Sequence, residues 1–516
     1  MARRAILFVL CVAALGCRRP PGPALSSPFR FSPRPNRAAE IHWRTWEPSL
    51  FVEAQRSGKP ILLSLSAVWC HWCHVLDETT LSDPRVIALL NRDFLTVRVD
   101  ADQHPDIERR YILGGWPTVA FLTAKGEIVD GGTYVPPADF LTMATGALAL
   151  VRAGGADLEQ RLQRRRGSRD ATAPGALDAT IVEGVARTLT AAADPIHGGF
   201  GEAPKFPNGE AVLFLLEVGE VDVARRALDG MLELEDRVAG GFFRYATRAD
   251  WSAPHYEKML QGNAELLTAY ARGFAVTKDE RYRAAARRTV AWVEHTLFDA
   301  QTGTFYASQD ADEKYYAADA AGRAALQAPY VDRTLLVDRA ALMVSALVAA
   351  ARDLDEPSML GVARAGARAL MTMRGDDGRF QHARRAGEQR SVQGELADQA
   401  HAALALLSLA AVTPTAEGAS FRDAARRAIA STVRTLRSPD GSFYDADAAN
   451  EGLLVRRERP LVENAVMARA QLAAGHVGDA ERTLSAFAGA YLLHGTEAAG
   501  YARAVDALLR ARRGRD

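Results

Sequence analysis

The spacing of apolar residues changes near residue 175. Before it, they gather in short continuous runs of strand length. Residues 61–68 and 94–100 are compact Leu/Ile/Val-rich runs that predict two buried strands. Residues 118–122 and 127–129, joined through Lys125 and Gly126, predict a β-hairpin. The stretch after Trp69, to about Asn91, has helical spacing, as does 138–152. After residue 176 the period is helical throughout. About twelve amphipathic stretches follow, over 177–193, 209–217, 220–235, 258–275, 279–298, 336–354, 358–374, 395–412, 420–437, 461–474, 477–490 and 496–513.

A weak repeat runs through the helical half. Gly199-Phe200, Gly241-Phe242, Gly303-Thr-Phe305, Gly378-Arg-Phe380 and Gly441-Ser-Phe443 each follow an odd-numbered helix of that series. With helices alternating up and down, these loops emerge on one rim. Six hairpins with equivalent loops at one end predict an (α/α)6 barrel, with an open α-solenoid as the alternative. In the first half the order is strand, CxxC helix, strand, short helix, hairpin, helix, which is the thioredoxin arrangement. The expected fold class is therefore an α/β thioredoxin-like domain followed by an all-α (α/α)6 toroid. The expected boundaries are 41–152 for the first domain, 153–176 for an Arg- and Gly-rich linker, and 177–516 for the barrel.

The first predicted strand runs into Trp69-Cys70-His71-Trp72-Cys73-His74. Cys70 is placed at a helix start, where unpaired N–H groups and the helix dipole favour a thiolate. His71, when protonated, adds to that, so the Cys70 thiol is expected below the usual ~8.5. Cys73, one turn on, is placed to resolve a mixed disulfide. Pro117 follows Gly115-Trp116 at the start of a hairpin strand, where a residue without an N–H is tolerated, and a cis Trp116–Pro117 bond is expected. The catalytic candidates are Cys70, Cys73, His71 and Pro117. Trp72 and Trp116 are expected to rim the site. Rival readings of the same motif are c-type haem attachment, since Cys70 to His74 is CxxCH, a zinc site using His71 or His74, and a redox-inert disulfide. The reading adopted is thiol–disulfide exchange with protein thiols or disulfides, and no cofactor or metal.

The remaining cysteines, Cys11 and Cys17, lie in a leader. Arg3 and Arg4 precede an 11-residue apolar run, 5–15, too short for a membrane span, which needs ~20 residues. Ala14-Leu15-Gly16-Cys17 resembles a lipobox. The expectation is a signal peptide over 1–17 with Cys17 lipidated, a Pro-rich tether over 18–40, and a lipoprotein facing the periplasm of a bacterial envelope, on the outer rather than the inner membrane. Lys+Arg and Asp+Glu both number 63. That balance argues against nucleic acid as a partner, and 48% hydrophobic with 24% charged residues excludes a disordered or polytopic membrane chain. The membrane is met through the lipid anchor only.

Polar residues cluster in the predicted rim loops. Lys205, His255, Glu257, Lys258, Asp310 and Asp312 are the barrel-mouth candidates. Carboxylates, a His and aromatic rings around one mouth suit a carbohydrate, and the alternative functions are a hydrolase or epimerase, with Glu257, Asp310 and Asp312 as acids or bases and His255 as a proton carrier, or a non-catalytic binding module. Solvated loops holding an internal salt bridge are the plainer alternative.

The residues Trp43–Trp46, Cys70–His74, Gly114-Gly-Trp-Pro117, Gly131-Gly-Thr-Tyr134, Gly198-Gly-Phe-Gly201, Ala203-Pro-Lys-Phe-Pro207, Pro254-His-Tyr-Glu-Lys-Met-Leu260 and Gln309-Asp-Ala-Asp312 together give the chain a strong resemblance to the spermatogenesis-associated protein 20-like family. That resemblance implies a thioredoxin-like domain joined to a six-hairpin glycosidase-like barrel. It transfers fold better than reaction. Two departures stand out. Glu313-Lys-Tyr-Tyr316 replaces the start of a long insertion, which implies a more open mouth, and Asp338-Arg339 replaces an expected Trp-Asn pair.

Overall fold

The computed structural model describes residues 31–165, 172–385, 394–447 and 457–514. The leader, with Cys11 and the lipidation candidate Cys17, lies outside the described residues. No helix among the described residues is long and apolar enough to cross a membrane.

The first domain is thioredoxin-like. Its sheet comprises β1 (Trp43–Arg44), β2 (Ile61–Ser66), β3 (Leu95–Asp100), β4 (Thr118–Leu122) and β5 (Ile128–Gly132), in the order β1-β3-β2-β4-β5. β1 and β2 run parallel to β3, and β4 is antiparallel to both β2 and β5. Every residue of β2 is buried because helices cover both faces. Its side chains alternate between two cores, as a pleated strand requires. Leu62 joins Val119, Phe121 and Phe140 on one face, and Ile61, Leu63 and Leu65 join Val97 and Tyr111 on the other. The helices are α1 (Pro48–Ser57), α2 (His71–Glu78), α3 (Pro84–Asp93), α4 (Pro105–Tyr111), α5 (Pro137–Ala153) and α6 (Gly155–Arg165).

Two sequence expectations are corrected at the edges of this unit. Residues 31–40, assigned to an extended tether, pack onto the fold. The Ser32 amide donates to Asp77, which is itself paired with buried Arg98, and Ala38 is fully buried. Residues 155–165, assigned to the linker, form α6. Its Leu162 enters the core, and Arg161 pairs with Asp130 and donates to the Val129 carbonyl of β5. Proline content and Arg/Gly content describe local stiffness and solubility; neither reveals which neighbour a segment packs on.

The second domain resembles the (α/α)6 toroids. Its outer helices are α7 (Ala179–Ala192), α9 (Val221–Met231), α11 (Glu280–Trp292), α15 (Met359–Met371), α17 (Ala416–Thr435) and α19 (Val477–Ser485). They alternate with inner helices α8 (Gly209–Val218), α10 (Leu260–Thr277), α14 (Val337–Asp353), α16 (Leu396–Ala411), α18 (Leu461–Ala473) and α20 (Ala498–Arg513). Each inner helix packs on the next, and α20 closes the ring on α8. Two short helices, α12 (Glu313–Tyr316) and α13 (Ala320–Ala324), sit in the loop before α14.

The Gly-Phe repeat now has a physical account. Each pair lies in the turn from an outer helix to the next inner one. Gly241 has φ of 73°, and a Cβ there would lie 2.5 Å from the Trp292 ring, so only glycine fits. Phe242 is buried, and Asn263 on α10 clamps its backbone: the Phe242 N–H donates to Asn263 Oδ1 at 2.7 Å, and Asn263 Nδ2 donates back to the Phe242 carbonyl at 3.1 Å. Gln399 on α16 does the same for Phe380, and Asn464 on α18 for Phe443. All these turns lie at the rim where the inner helices begin.

Candidate functional site

Strand β2 ends at Ser66, and the chain turns through Ala67–Trp69 into α2. Cys70 is the N-cap of α2, and its Sγ accepts the Cys73 N–H at 3.1 Å. Cys70 and Cys73 form a disulfide with Cα atoms 5.2 Å apart. While the sulfurs are joined, neither is free for haem or zinc. The Trp116–Pro117 bond is cis, and Pro117 is buried. Trp69 and Trp116 meet edge to face at 5.5 Å and pack with the cysteines. Trp72 instead turns outward, 40% exposed, against Tyr134 at 5.1 Å.

The disulfide does not face open solvent. Cys70 is 2% and Cys73 1% exposed, because the thioredoxin-like domain lies across the rim of the barrel. The Glu257 carboxylate accepts the His71 N–H at 3.4 Å, and Met259 packs against the cysteine cluster. His71 Nδ1 lies 3.1 Å from Glu313 at the start of α12. The Arg244 guanidinium stands over Trp69 at 4.5 Å and Trp116 at 5.2 Å, a cation–π contact made in a desolvated setting. The open mouth implied by the missing insertion is thus not what the structure has; the CxxC face of the first domain covers it.

Ion pairs fix this docking at the N-terminal ends of three more inner helices. Arg339, at the start of α14, donates to Asp102, which also accepts Trp69 Nε1–H at 2.6 Å. Arg109 and Arg110 reach Asp445, and Arg109 also meets Glu463 near the start of α18. His382 makes the most enclosed contact. Its Nδ1 is 3.0 Å from Asp398 on α16, and its Nε2 is 2.8 Å from the Asp102 carbonyl. Burial works against a charged ring, but Asp398, Asp338 and the Asp102 carbonyl together push His382 up to about 10. Asp338, His382 and Asp398 bring donor atoms within 4.8 Å of one another. Both ring nitrogens already face oxygen acceptors, so the trio is a protonated ion pair rather than a set of lone pairs aimed at a metal.

The six barrel-mouth candidates separate by role. The strand Lys258–Met259 pairs with Ser308–Gln309 in antiparallel register, Lys258 opposite Gln309. That register sets Glu257 beside Asp310 on the same rim. His255 stacks on Tyr245 at 4.3 Å, with Nδ1 3.7 Å from Glu257. His255, Glu257 and Asp310 therefore share the rim. Glu257 is 2% exposed; burial alone would raise its carboxyl, but His255 and Arg244 outweigh burial and hold it below its ordinary value. Asp312 caps α12, accepting the Tyr315 N–H.

Lys205 and Lys258 do not line the mouth, contrary to expectation. Both are fully buried braces of Gly-Phe turns. Lys205 Nζ donates to Asp194 and the Gly198 carbonyl, and Lys258 Nζ donates to Asp236 and the Gly240 carbonyl. Successive residues of an extended strand point to opposite sides, so Glu257 faces the CxxC helix while Lys258 faces the barrel wall. Arg339, His382, Asp398 and Asp102 were not picked out as site residues by sequence; the one signal was the departure at Asp338-Arg339.

Residues 27–161 match the family Thioredox_DsbH, described as a protein of unknown function, DUF255. The chain is homologous to spermatogenesis-associated protein 20 of Homo sapiens, with 31% identity over 307 residues, covering 53% of this chain and 39% of that protein. It thus spans about two fifths of the length of that relative. A shorter likeness, 35% over 80 residues, joins 15% of this chain to 13% of the thiol:disulfide interchange protein DsbD 1 of Pseudomonas aeruginosa. Among solved structures, cellobiose 2-epimerase from Spirochaeta thermophila superposes with a TM-score of 0.50 at 15% identity, over 65% of this chain and 95% of that one. At that identity the likeness is one of fold.

Proposed function

We propose that the chain is a thiol–disulfide oxidoreductase of the bacterial cell envelope, anchored by lipid on Cys17, whose CxxC pair works beneath the barrel rim. The observation that carries this reading is the Cys70–Cys73 disulfide at the first turn of α2, in a domain of thioredoxin-like fold. The local likeness to a thiol:disulfide interchange protein supports the same reaction class.

The reaction balances within the pair and its client. A client thiolate attacks Cys70 Sγ, the Cys70–Cys73 bond breaks, and Cys73 leaves as a thiolate that takes up a proton. The second client thiolate attacks the client sulfur of the mixed disulfide, and Cys70 is released. Two electrons and two protons pass from the client dithiol to the CxxC pair; the reverse sequence reduces a client disulfide. Because Cys70 is 2% exposed, a protein client reaches it after the segment bearing Glu257 and Met259 parts from α2. A carbohydrate ligand for the barrel rests on the fold alone.

The test is trapping. Cys73→Ala is expected to accumulate mixed disulfides with envelope proteins, and Cys70→Ala is not, when extracts are resolved without reductant. Equal trapping by both variants, or by neither, would remove the proposed roles. Anchoring has its own test: Cys17→Ser is expected to move the protein from the membrane to the soluble fraction or to block its processing. A variant that stays membrane-bound at mature size rejects the lipid anchor.

A further inference from the structure

Two acceptors share the first turn of α2, the Cys70 sulfur and the Glu257 carboxylate. Cys70 Sγ takes the Cys73 N–H at 3.1 Å, and Glu257 Oε1 takes the neighbouring His71 N–H at 3.4 Å. The carboxylate arrives from a different domain, 186 positions along the chain. Its other oxygen, Oε2, is buried and lies 3.7 Å from His255 Nδ1. Both sites are desolvated, Glu257 at 2% and Cys70 at 2% exposure, so charge–charge terms are weakly screened.

We propose that Glu257 is a positioning residue supplied by the barrel that disfavours the Cys70 thiolate and so tunes the reduced state of the CxxC pair while the domains are docked. This inference rests on the redox reading above and deepens it. In the disulfide state the sulfurs carry no charge, and the helix N-terminus serves the carboxylate. On reduction, a Cys70 thiolate would share that terminus with a second anion. Like charges at one site oppose ionisation. The sequence alone places only favourable partners around Cys70, the helix start and His71; the barrel adds the opposing one.

The charged and titratable groups packed around the Cys70 turn can be named element by element. From its own helix comes His71, whose Nδ1 is engaged by Glu313 of α12. From the barrel come Glu257, His255 behind it, and Arg244 across Trp69 and Trp116. From the loop after β3 comes Asp102, held on Trp69 and Arg339. Arg244 favours both anions, so removing Glu257 leaves a cation that acts on the thiolate alone.

The experiment follows thiolate ultraviolet absorbance against pH in the reduced full chain, for wild type, Glu257→Gln and Glu257→Asp. Glu257→Gln is expected to ionise Cys70 at least one pH unit lower, a tenfold gain in thiolate at a pH below both midpoints. Glu257→Asp, which keeps the charge but draws it back, is expected to fall between. Should Glu257→Gln fail to fold, an unshifted Glu257→Asp profile would overturn the proposal, as would coincident profiles for wild type and Glu257→Gln. These readings do not depend on client exchange. A shifted profile with no mixed disulfide in Cys73→Ala would sink the oxidoreductase reading and keep the tuning.

Discussion

Raising the pH from 6 to 10 is expected to loosen the junction between the two domains, with His382 as the principal cause. Its ring is 3% exposed and joins Asp398 of the barrel to the Asp102 carbonyl of the thioredoxin-like domain. An unfolded His titrates near 6.5, while the buried ring, against the cost of burial, is held up to about 10 by Asp398 and Asp338. The sign follows from linkage. A folded value above the unfolded one gives stability that is complete below about 6.5 and is lost as pH rises through about 10. The slope is about 1.4 kcal/mol per pH unit across that window. Denaturant midpoints and proteolysis of the junction, followed from pH 6 to 10, check this. His382→Gln, neutral at every pH, should flatten the dependence; an unchanged slope would assign it elsewhere. The partners that set the value are Asp398, Asp338 and the Asp102 carbonyl.

The second large effect concerns a brace rather than the junction. Asp236→Ala is expected to destabilise the barrel by about 3–5 kcal/mol, the cost of leaving buried cations unpaired. Asp236 accepts from Lys258 and Arg323 and also from the Val238 N–H of its own turn. Burial would raise its carboxyl, but Arg323 and Lys258 more than offset that and hold it below the ordinary range. Lys258 is fully buried and Arg323 7% exposed, so neither can turn to water without opening the rim. The double variant Asp236→Ala/Lys258→Met is expected to cost less than the sum of the two single changes, because each single change strands a charge. Denaturation should be followed on the barrel's own transition, since two domains need not unfold together. A loss under ~1 kcal/mol in Asp236→Ala would show that water already reaches the pair.

Much of the architecture was legible because it follows from period. The helical stretches of the second half carry a 3.6-residue repeat, and the inner and outer helices fall where that repeat places them. The Gly-Phe turns were legible too, since Gly241 and its equivalents recur at fixed positions in the series. The site was only partly so. Cys70 and Cys73 lie within one local motif, and spacing alone brings them together, whereas Trp116, next to Pro117, joins them from the hairpin by the fold. Lys205 and Lys258 were misread because their loop position suggested the mouth, whereas each turns inward onto an aspartate and a glycine carbonyl of a Gly-Phe turn. The docking of the two domains left almost no trace in sequence. Asp102, Arg339, His382 and Asp398 are single charged residues on different elements, with no period to connect them. Charges that meet only in three dimensions look like ordinary surface residues along the chain, and the covered mouth was invisible for that reason.

The proposed function requires the buried Cys70–Cys73 disulfide to be exchange-competent rather than a structural staple. Its most direct test is the redox equilibrium of the full chain with glutathione buffers, read by alkylating the freed thiols. A two-electron couple that equilibrates at a potential above about −300 mV is expected, where exchanging disulfides lie. A pair that stays oxidised in buffers poised well below about −300 mV would mark a structural disulfide and rule out exchange.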